Sequence, residues 1–297
     1  MAKIAFLGTG AMGTPMIRRL LAGGHQVTAW NRTLDKARVL EADGATVAAT
    51  PAAAIAGADV IWTMVLDDAA CRAVWTGPDG ILKGKPGAST IAVEGSTVSN
   101  DWVLELAGLA RAKGLRFVDC CVAGRPDWAE AGQLIAYAGG APADIDALTP
   151  IVMAFSRSCT RFGDVGKGNA FKLIYNVMGA LQVAALAEAM QACEAAGIDL
   201  HAAALAFSTG NTGSGHVVRH SKYMATGEHP RPVGFSPRNR IKDTMYGVEF
   251  IEQTGGQSVL GRAAAAVYKQ AVDAGFGDVN DSELIEALRK IHGGRQA

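Results

Sequence analysis

The chain has 297 residues, enough for one large domain or two ordinary ones around a substantial core. Its 28 basic and 28 acidic residues cancel to a formal net charge of +0, with no basic stripe and no acidic tail, so nothing in the charge favours nucleic acid or an anionic membrane. The five cysteines show no metal-ligand spacing, and two of them, Cys120 and Cys121, are adjacent; they read as reduced thiols in a cytoplasmic protein.

The first segment, MAKIAFLGTG, has none of the charged, apolar and cleavage regions of a secretory signal and instead enters a predicted strand over 3–7. A glycine turn follows at 8–13, then a helix over 14–22 that Gly23 and Gly24 end. Residues 26–30 (QVTAW) predict a second strand, and Thr33 an N-cap for a helix to about residue 40. Further strands are expected at 60–65, 90–93, 116–119 and 134–138, with helices at 68–74 and 100–113. This alternation predicts an α/β fold, a doubly wound parallel sheet with helices on both faces. Glu94, Asp67 and Asp68 read as loop or helix-start charges.

The character changes near residue 163, after which no strand is expected. Residues 168–196 predict one helix of roughly 40 Å at about 1.5 Å per residue, stopped by Gly197. Its uncharged stretch, 173–187, is shorter than the ~20 residues that span a bilayer. Its small face of Ala180, Ala184, Ala187 and Cys193 needs cover from other helices, of this chain or of a second subunit. The expected organisation is a Rossmann domain over 1–162 and an all-helical domain over 163–297, assembled as a homodimer or homotetramer through the helical part.

Two motifs carry chemistry. Gly8-Thr9-Gly10-Ala11-Met12-Gly13 fits G-x-G-x-x-G between a strand and a helix, where the motif marks a dinucleotide site. Gly8 permits the tight turn, Gly10 lets a pyrophosphate approach the backbone, and Gly13 lets the helix pack on the strand. The helix N-terminus offers free N–H groups to the phosphates. Strand two ends in Asn31-Arg32-Thr33, without the acid that usually holds an NAD ribose. A guanidinium beside two short hydrogen-bonding side chains suits a 2′-phosphate, which favours NADP(H) over NAD(H), although Asp35 lies close by.

The second motif is Gly166-x-Gly168-x-x-x-Lys172-x-x-x-Asn176, in which the lysine and asparagine share a helix face. Lys172 sits among Phe171, Leu173 and Ile174, and burial there eases exchange of its proton, which reduction of a carbonyl must deliver to oxygen. The competing reading is a surface lysine that snorkels.

With these blocks in this order the chain resembles the β-hydroxyacid dehydrogenase family, which includes 3-hydroxyisobutyrate dehydrogenases and tartronate, glyoxylate and succinic semialdehyde reductases. The resemblance runs through LGTGAMGTPM, WNRT, Gly95-Ser96-Thr97-Val98, the segment from Asp119 to Gly132 with Leu134, the Lys172/Asn176 motif and Ile241-Lys242-Asp243. It implies Lys172 as general acid in reduction and base in oxidation, with Asn176 hydrogen-bonding the substrate. It places Thr97 on the nicotinamide side, Ser96 at the edge of the substrate pocket, Lys242 over the cofactor with Asp243 beside it, and Val65-Leu66 near the adenosine ribose. Where the family reads D-A-P-V-S-G-G, this chain has Ala123 for the carboxylate-binding serine, then Gly124, and Arg125 for the second glycine. Arg125 could bind a carboxylate, face a neighbouring subunit, or pair with Asp127 or Glu130.

The polar stretch 208–216 resembles the family's pocket-lining segment and reads equally as a loop. His216 and His220 lack a third ligand in the sequence, so no metal is expected. The resemblance implies hydride transfer between NADP(H) and a small β-hydroxy acid or semialdehyde. The alternatives are an imine reductase of the sister family, which usually lacks the lysine, and a dinucleotide-binding module without catalysis.

Overall fold

The structure, a computed structural model, describes residues 1–87 and 89–293. The chain divides into two compact units, Met1–Lys172 and Leu173–Ala297.

The first unit opens with β1 (Lys3–Leu7), α1 (Gly13–Ala22), β2 (Gln26–Trp30), α2 (Leu34–Arg38), β3 (Thr46–Val47), α3 (Pro51–Ala54), β4 (Val60–Thr63) and α4 (Asp68–Thr76). It continues through β5 (Ile91–Glu94), α5 (Asn100–Ala112), β6 (Arg116–Ala123), α6 (Pro126–Glu130), β7 (Leu134–Gly139), α7 (Pro142–Val152) and β8 (Ser156–Gly163). The strands lie in the order β3-β2-β1-β4-β5-β6-β7-β8. Because the chain leaves β1 toward β3 and returns to β4 on the other side, a topological switch point lies between β1 and β4, the place where open α/β sheets bind ligands.

All neighbouring strands are parallel except β6 and β7, which are antiparallel, with Asp119 opposite Gly139. The doubly wound, mostly parallel sheet is the one expected, with this one antiparallel pair that the expectation did not include. The connection over 124–133 is too short for a parallel crossover, which needs a dozen or more residues. The strand expected at 116–119 continues to Ala123, and α7 and β8 were not expected.

Alternating residues feed two cores, one on each face of the sheet. Ile4, Phe6 and Trp62 pack on one face with Phe155, whose ring meets Trp62 edge-on at 5.3 Å. Ala5, Leu7 and Ile61 pack on the other with Trp75, Trp102 and Phe117. These wholly buried aromatics give the sheet rigid support beneath its carboxyl edge.

Helix α8 (Lys167–Ala195) is 29 residues long. The second unit, from Leu173, adds α9 (Leu200–Thr209), α10 (Gly215–Thr226), α11 (Pro237–Gln253), α12 (Val259–Ala271) and α13 (Leu284–His292). No strand occurs after residue 163 among the described residues. Ala180, Val183, Ala184, Ala187 and Met190 of α8 form the core with Val217, Ala264, Tyr268 and Leu288. Glycines set the close approach of helices: a Cβ at Gly247 of α11 would lie 2.6 Å from Leu173 O and 2.4 Å from a Val177 methyl. That spacing brings the residue one turn earlier, Asp243, against α8.

An 18-residue window of α8 reaches a mean hydropathy of 1.4, so the helix is long and apolar enough to cross a membrane, contrary to the expectation from 173–187. Most of that window is buried within the chain, as in the core helix of a globular unit.

Candidate active site

The β1–α1 turn is built around missing side chains. Gly8 has φ +116°, and a Cβ there would lie 2.0 Å from Met64 O; a Cβ at Gly13 would lie 1.9 Å from Gly8 O. At Gly10 a Cβ would meet nothing within 4 Å. Gly8 and Gly13 are therefore demanded by packing, while Gly10 leaves an open backbone face. Gly10 and Ala11 are exposed and Met12 is half-buried. Helix α1 has no side-chain cap and no acid in its first turn, in contrast to α4 and α5, which Asp67 and Ser99 cap. The buried hydroxyl of Thr9 has no hydrogen-bond partner among the described residues. Uncapped N–H groups behind an open glycine face fit a pyrophosphate.

At the end of β2, Asn31 Nδ2 donates to Thr33 O at 3.0 Å, and its Oδ1 accepts from Thr9 N–H at 3.4 Å. Asn31 thus ties the loop after β1 to the loop after β2. Arg32 and Thr33 are exposed, and the Thr33 side chain makes no cap bond to α2. Asp35 is engaged by Arg38 at 2.9 Å, one turn on.

The loops after β4 and β5 are tied by Ser96, whose Oγ accepts Val65 N–H at 2.8 Å. Leu66 beside it is exposed. Ser96 is wholly buried, whereas Thr97 is half-buried and reaches the surface. The anchor beneath them is Glu94, with no exposed surface. Its Oε2 accepts from Thr63 Oγ1 at 2.5 Å, Cys71 Sγ at 2.9 Å and Trp75 Nε1 at 2.9 Å. Its Oε1 accepts Ser96 N–H at 2.9 Å. The expectation that Glu94 is a loop or helix-start charge is corrected: it is a buried carboxylate fully used in hydrogen bonds, and Cys71 responds with a thiol pushed far above its usual range by burial and by that carboxylate. Asp67 caps α4 through Ala70 N–H at 2.8 Å, and Asp68 accepts from the Ser99 hydroxyl at 2.5 Å.

At the end of β6, Ala123 is buried and Gly124 has φ +138°, a left-handed position where a Cβ would strike Leu134. Arg125 forms a two-point ion pair with Asp127, at 3.0 and 2.5 Å, which also holds the Asp127 carboxyl below its usual range.

Lys172 is buried, 8% exposed, at the end of the first unit. One turn on, Asn176 is 5% exposed and donates its Nδ2 to Asp243 Oδ2 at 2.9 Å. Lys242 Nζ meets Asp243 Oδ1 at 2.7 Å and lies over the Tyr246 ring at 5.1 Å. Asp243 is buried. Since a carboxylate only accepts, the nitrogen end of the Asn176 amide faces Asp243 and the oxygen end faces away.

His220 Nε2 donates to Asp281 Oδ1 at 3.0 Å, and Arg240 pairs with the other oxygen of Asp281 at 2.5 Å. Burial and the nearby Arg240 lower His216 to about 3. Among the described residues no group of three His, Cys, Asp or Glu side chains is placed to hold a metal.

Two family models cover the chain: the NAD binding domain of 6-phosphogluconate dehydrogenase matches residues 3–163, and the NAD-binding domain of NADP-dependent 3-hydroxyisobutyrate dehydrogenase matches residues 166–288. The chain belongs to the β-hydroxyacid dehydrogenase family. It is an NAD(P)-dependent oxidoreductase of that family. A 3-sulfolactaldehyde reductase of Escherichia coli is 32% identical over 97% of this chain and 96% of its own. A 3-hydroxyisobutyrate dehydrogenase of Mycobacterium tuberculosis shares the structure with a TM-score of 0.87 at 27% identity, over 97% of this chain and 99% of that one. An imine reductase of Myxococcus stipitatus shares the fold alone, with a TM-score of 0.62 at 20% identity over 97% and 99% of the two chains. Within the β-hydroxyacid dehydrogenase framework, the residues that sequence reasoning missed are the buried acids Glu94 and Asp119 and the amide of Asn169. Apart from Ser96 N–H, two residues after Glu94, their partners lie far off in sequence, and no local pattern marks them.

Proposed function

We propose that the protein transfers a hydride between NADP(H) and a small β-hydroxy acid or its semialdehyde, with Lys172 as general acid in reduction and general base in oxidation. The observation that carries this reading is Lys172 buried one helical turn before an asparagine whose amide is oriented by Asp243. The bound nicotinamide supplies or accepts the hydride. Lys172 delivers the proton to the carbonyl oxygen, and a positioned acid of this kind is worth about 10²–10⁴-fold in rate. The outward Oδ1 of Asn176 accepts the hydroxyl of the product alcohol. Asp243 holds that amide and also the Lys242 ammonium, which we assign to the cofactor.

Gly8, Gly10, Ala11, Met12 and Gly13 form the phosphate turn of a cofactor domain over 1–162, with Val65 and Leu66 on the adenosine side. Asn31, Arg32 and Thr33 take the 2′-phosphate. Arg32 is exposed, and Asp35 is occupied by Arg38, which supports NADP(H) over NAD(H). Thr97 flanks the nicotinamide, and buried Ser96 holds that edge through Val65. Ala123, Gly124 and Arg125 border the substrate; an anionic substrate would draw Arg125 from its present partner, Asp127. The helical part, 163–297, also assembles subunits: Ile174, Tyr175 and Met178 expose apolar surface along α8. Light scattering that shows a homodimer or homotetramer supports this, and a monomer overturns it. Five unbridged cysteines accord with a cytoplasmic location.

The test is a panel of initial rates with NADPH and NADH, on small aldehyde acids and on ketones with and without an amine. Turnover of an aldehyde acid with NADPH supports the reading. Turnover only in the presence of an amine replaces it with reductive amination.

A further inference from the structure

The helix that carries Lys172 begins at Lys167, after Gly166, which has no side chain with which to cap it. The orphan N–H groups of its first turn are met instead by a carboxylate from the middle of the sheet. Asp119 of β6 accepts Gly166 N–H on Oδ1 at 2.5 Å and Asn169 N–H on Oδ2 at 2.6 Å. Two glycines make the approach possible. A Cβ at Gly139, opposite Asp119 on β7, would lie 2.6 Å from that Oδ1, and one at Gly168 would lie 2.6 Å from Tyr137 O.

Asn169 completes a bracket. Its Nδ2 donates to Val98 O at 3.2 Å, and its Oδ1 accepts from Cys121 Sγ at 3.5 Å, a thiol that also lies 3.3 Å from Ser96 O. Asn169 stands three residues before Lys172, so the two are neighbours on the helix surface. The first turn of α8 is therefore fixed to β6 by Asp119 and to the Ser96–Thr97–Val98 turn by Asn169.

This arrangement is costly. Asp119 is wholly buried and makes no ion pair among the described residues; burial, only partly offset by the N–H groups of Gly166 and Asn169, raises its carboxyl to about 6. Gly166 has φ +90°, and a Cβ there would lie 2.9 Å from a Leu104 methyl, so no side chain at this position caps the helix locally. The distant carboxylate does so and adds registry between the helix and the sheet edge.

We propose that Asp119 is a positioning residue for the reaction: with Asn169 it sets the placement of the first turn of α8, and so of the Lys172 ammonium relative to Thr97. This rests on the assignment of Lys172 as proton donor. The test is a double-mutant cycle of Asp119→Asn and Lys172→Ala, with NADPH and the aldehyde acid of the panel that is turned over fastest. The variant amide accepts one N–H and opposes the other. Asp119→Asn is expected to lower kcat by about 10–100-fold, the scale of a small misplacement of a reacting group, with KM for NADPH changed by less than about threefold. Added to Lys172→Ala it should cost no more than about threefold further, because the group it positions is already gone. A kcat within about threefold of the parent, or effects that multiply in full, overturns the inference and leaves the Lys172 assignment standing. An unchanged kcat in Lys172→Ala overturns both. Should Asp119→Asn fail to fold, Asn169→Ala, which keeps both backbone bonds to Asp119, enters the same cycle with the same expected non-additivity.

Discussion

Asn176 and Asp243, sixty-seven residues apart, meet at 2.9 Å with both side chains buried, and the carboxylate also holds Lys242. Three residues of the candidate site are thus one connected unit across two helices. Asp243→Ala frees the Asn176 amide to rotate and releases Lys242. We expect kcat/KM to fall by about 10²-fold and stability by about 1–3 kcal/mol, since a buried donor loses its acceptor. Steady-state kinetics and a denaturant melt check both; a variant with unchanged kinetics would remove Asp243 from the account.

The turn glycines separate packing from binding. Gly10→Ala meets no atom within 4 Å, so the fold should be kept while the cofactor affinity falls by at least about tenfold. Gly13→Ala drives a Cβ to 1.9 Å from a backbone oxygen and should destabilise the first unit by about 3 kcal/mol or more. Thermal melts beside NADPH titrations distinguish the two, and similar effects of both would contradict the reading of Gly10.

Arg32 decides cofactor choice in this account. Arg32→Ala should raise KM for NADPH about tenfold or more, the worth of a charge-assisted bond to phosphate, and leave KM for NADH within about twofold. Equal changes for the two cofactors would dissociate Arg32 from the 2′-phosphate.

His216 links stability to pH. Its folded value is lowered to about 3 from an ordinary 6.5, by burial first and Arg240 second. Below pH 6.5 the unfolded chain binds a proton that the folded chain refuses, so this stabilisation is complete above pH 6.5 and is lost as pH falls toward 3. Between pH 7 and 4 the melting temperature of His216→Gln should therefore fall less than that of the parent; parallel curves would contradict the shift.

The parts legible in the sequence were those whose cause is local. The strand KIAFL, the glycine turn and the helix ending at Gly23 follow from short-range pattern, and Lys172 with Asn176 from helical spacing. The strand SRSCTRFG was not legible, because an edge strand whose residues are all but one exposed or half-exposed carries little apolar alternation. The antiparallel β6–β7 pair was readable in principle from its short connection. Glu94, Asp119 and Asp243 were not, because a buried acid is justified only by donors that the fold brings to it. For Asp119 those donors are 47 and 50 residues away. The resemblance carried the roles of Ser96 and Lys242, which no local rule would have supplied.

The central claim is that Lys172 moves the proton. The most direct measurement is the single-turnover rate of NADPH oxidation with the best aldehyde acid, in the parent and in Lys172→Ala, with NADPH binding measured in parallel. We predict a rate lower by about 10²-fold or more with cofactor affinity unchanged. A single-turnover rate within about threefold of the parent would contradict the account.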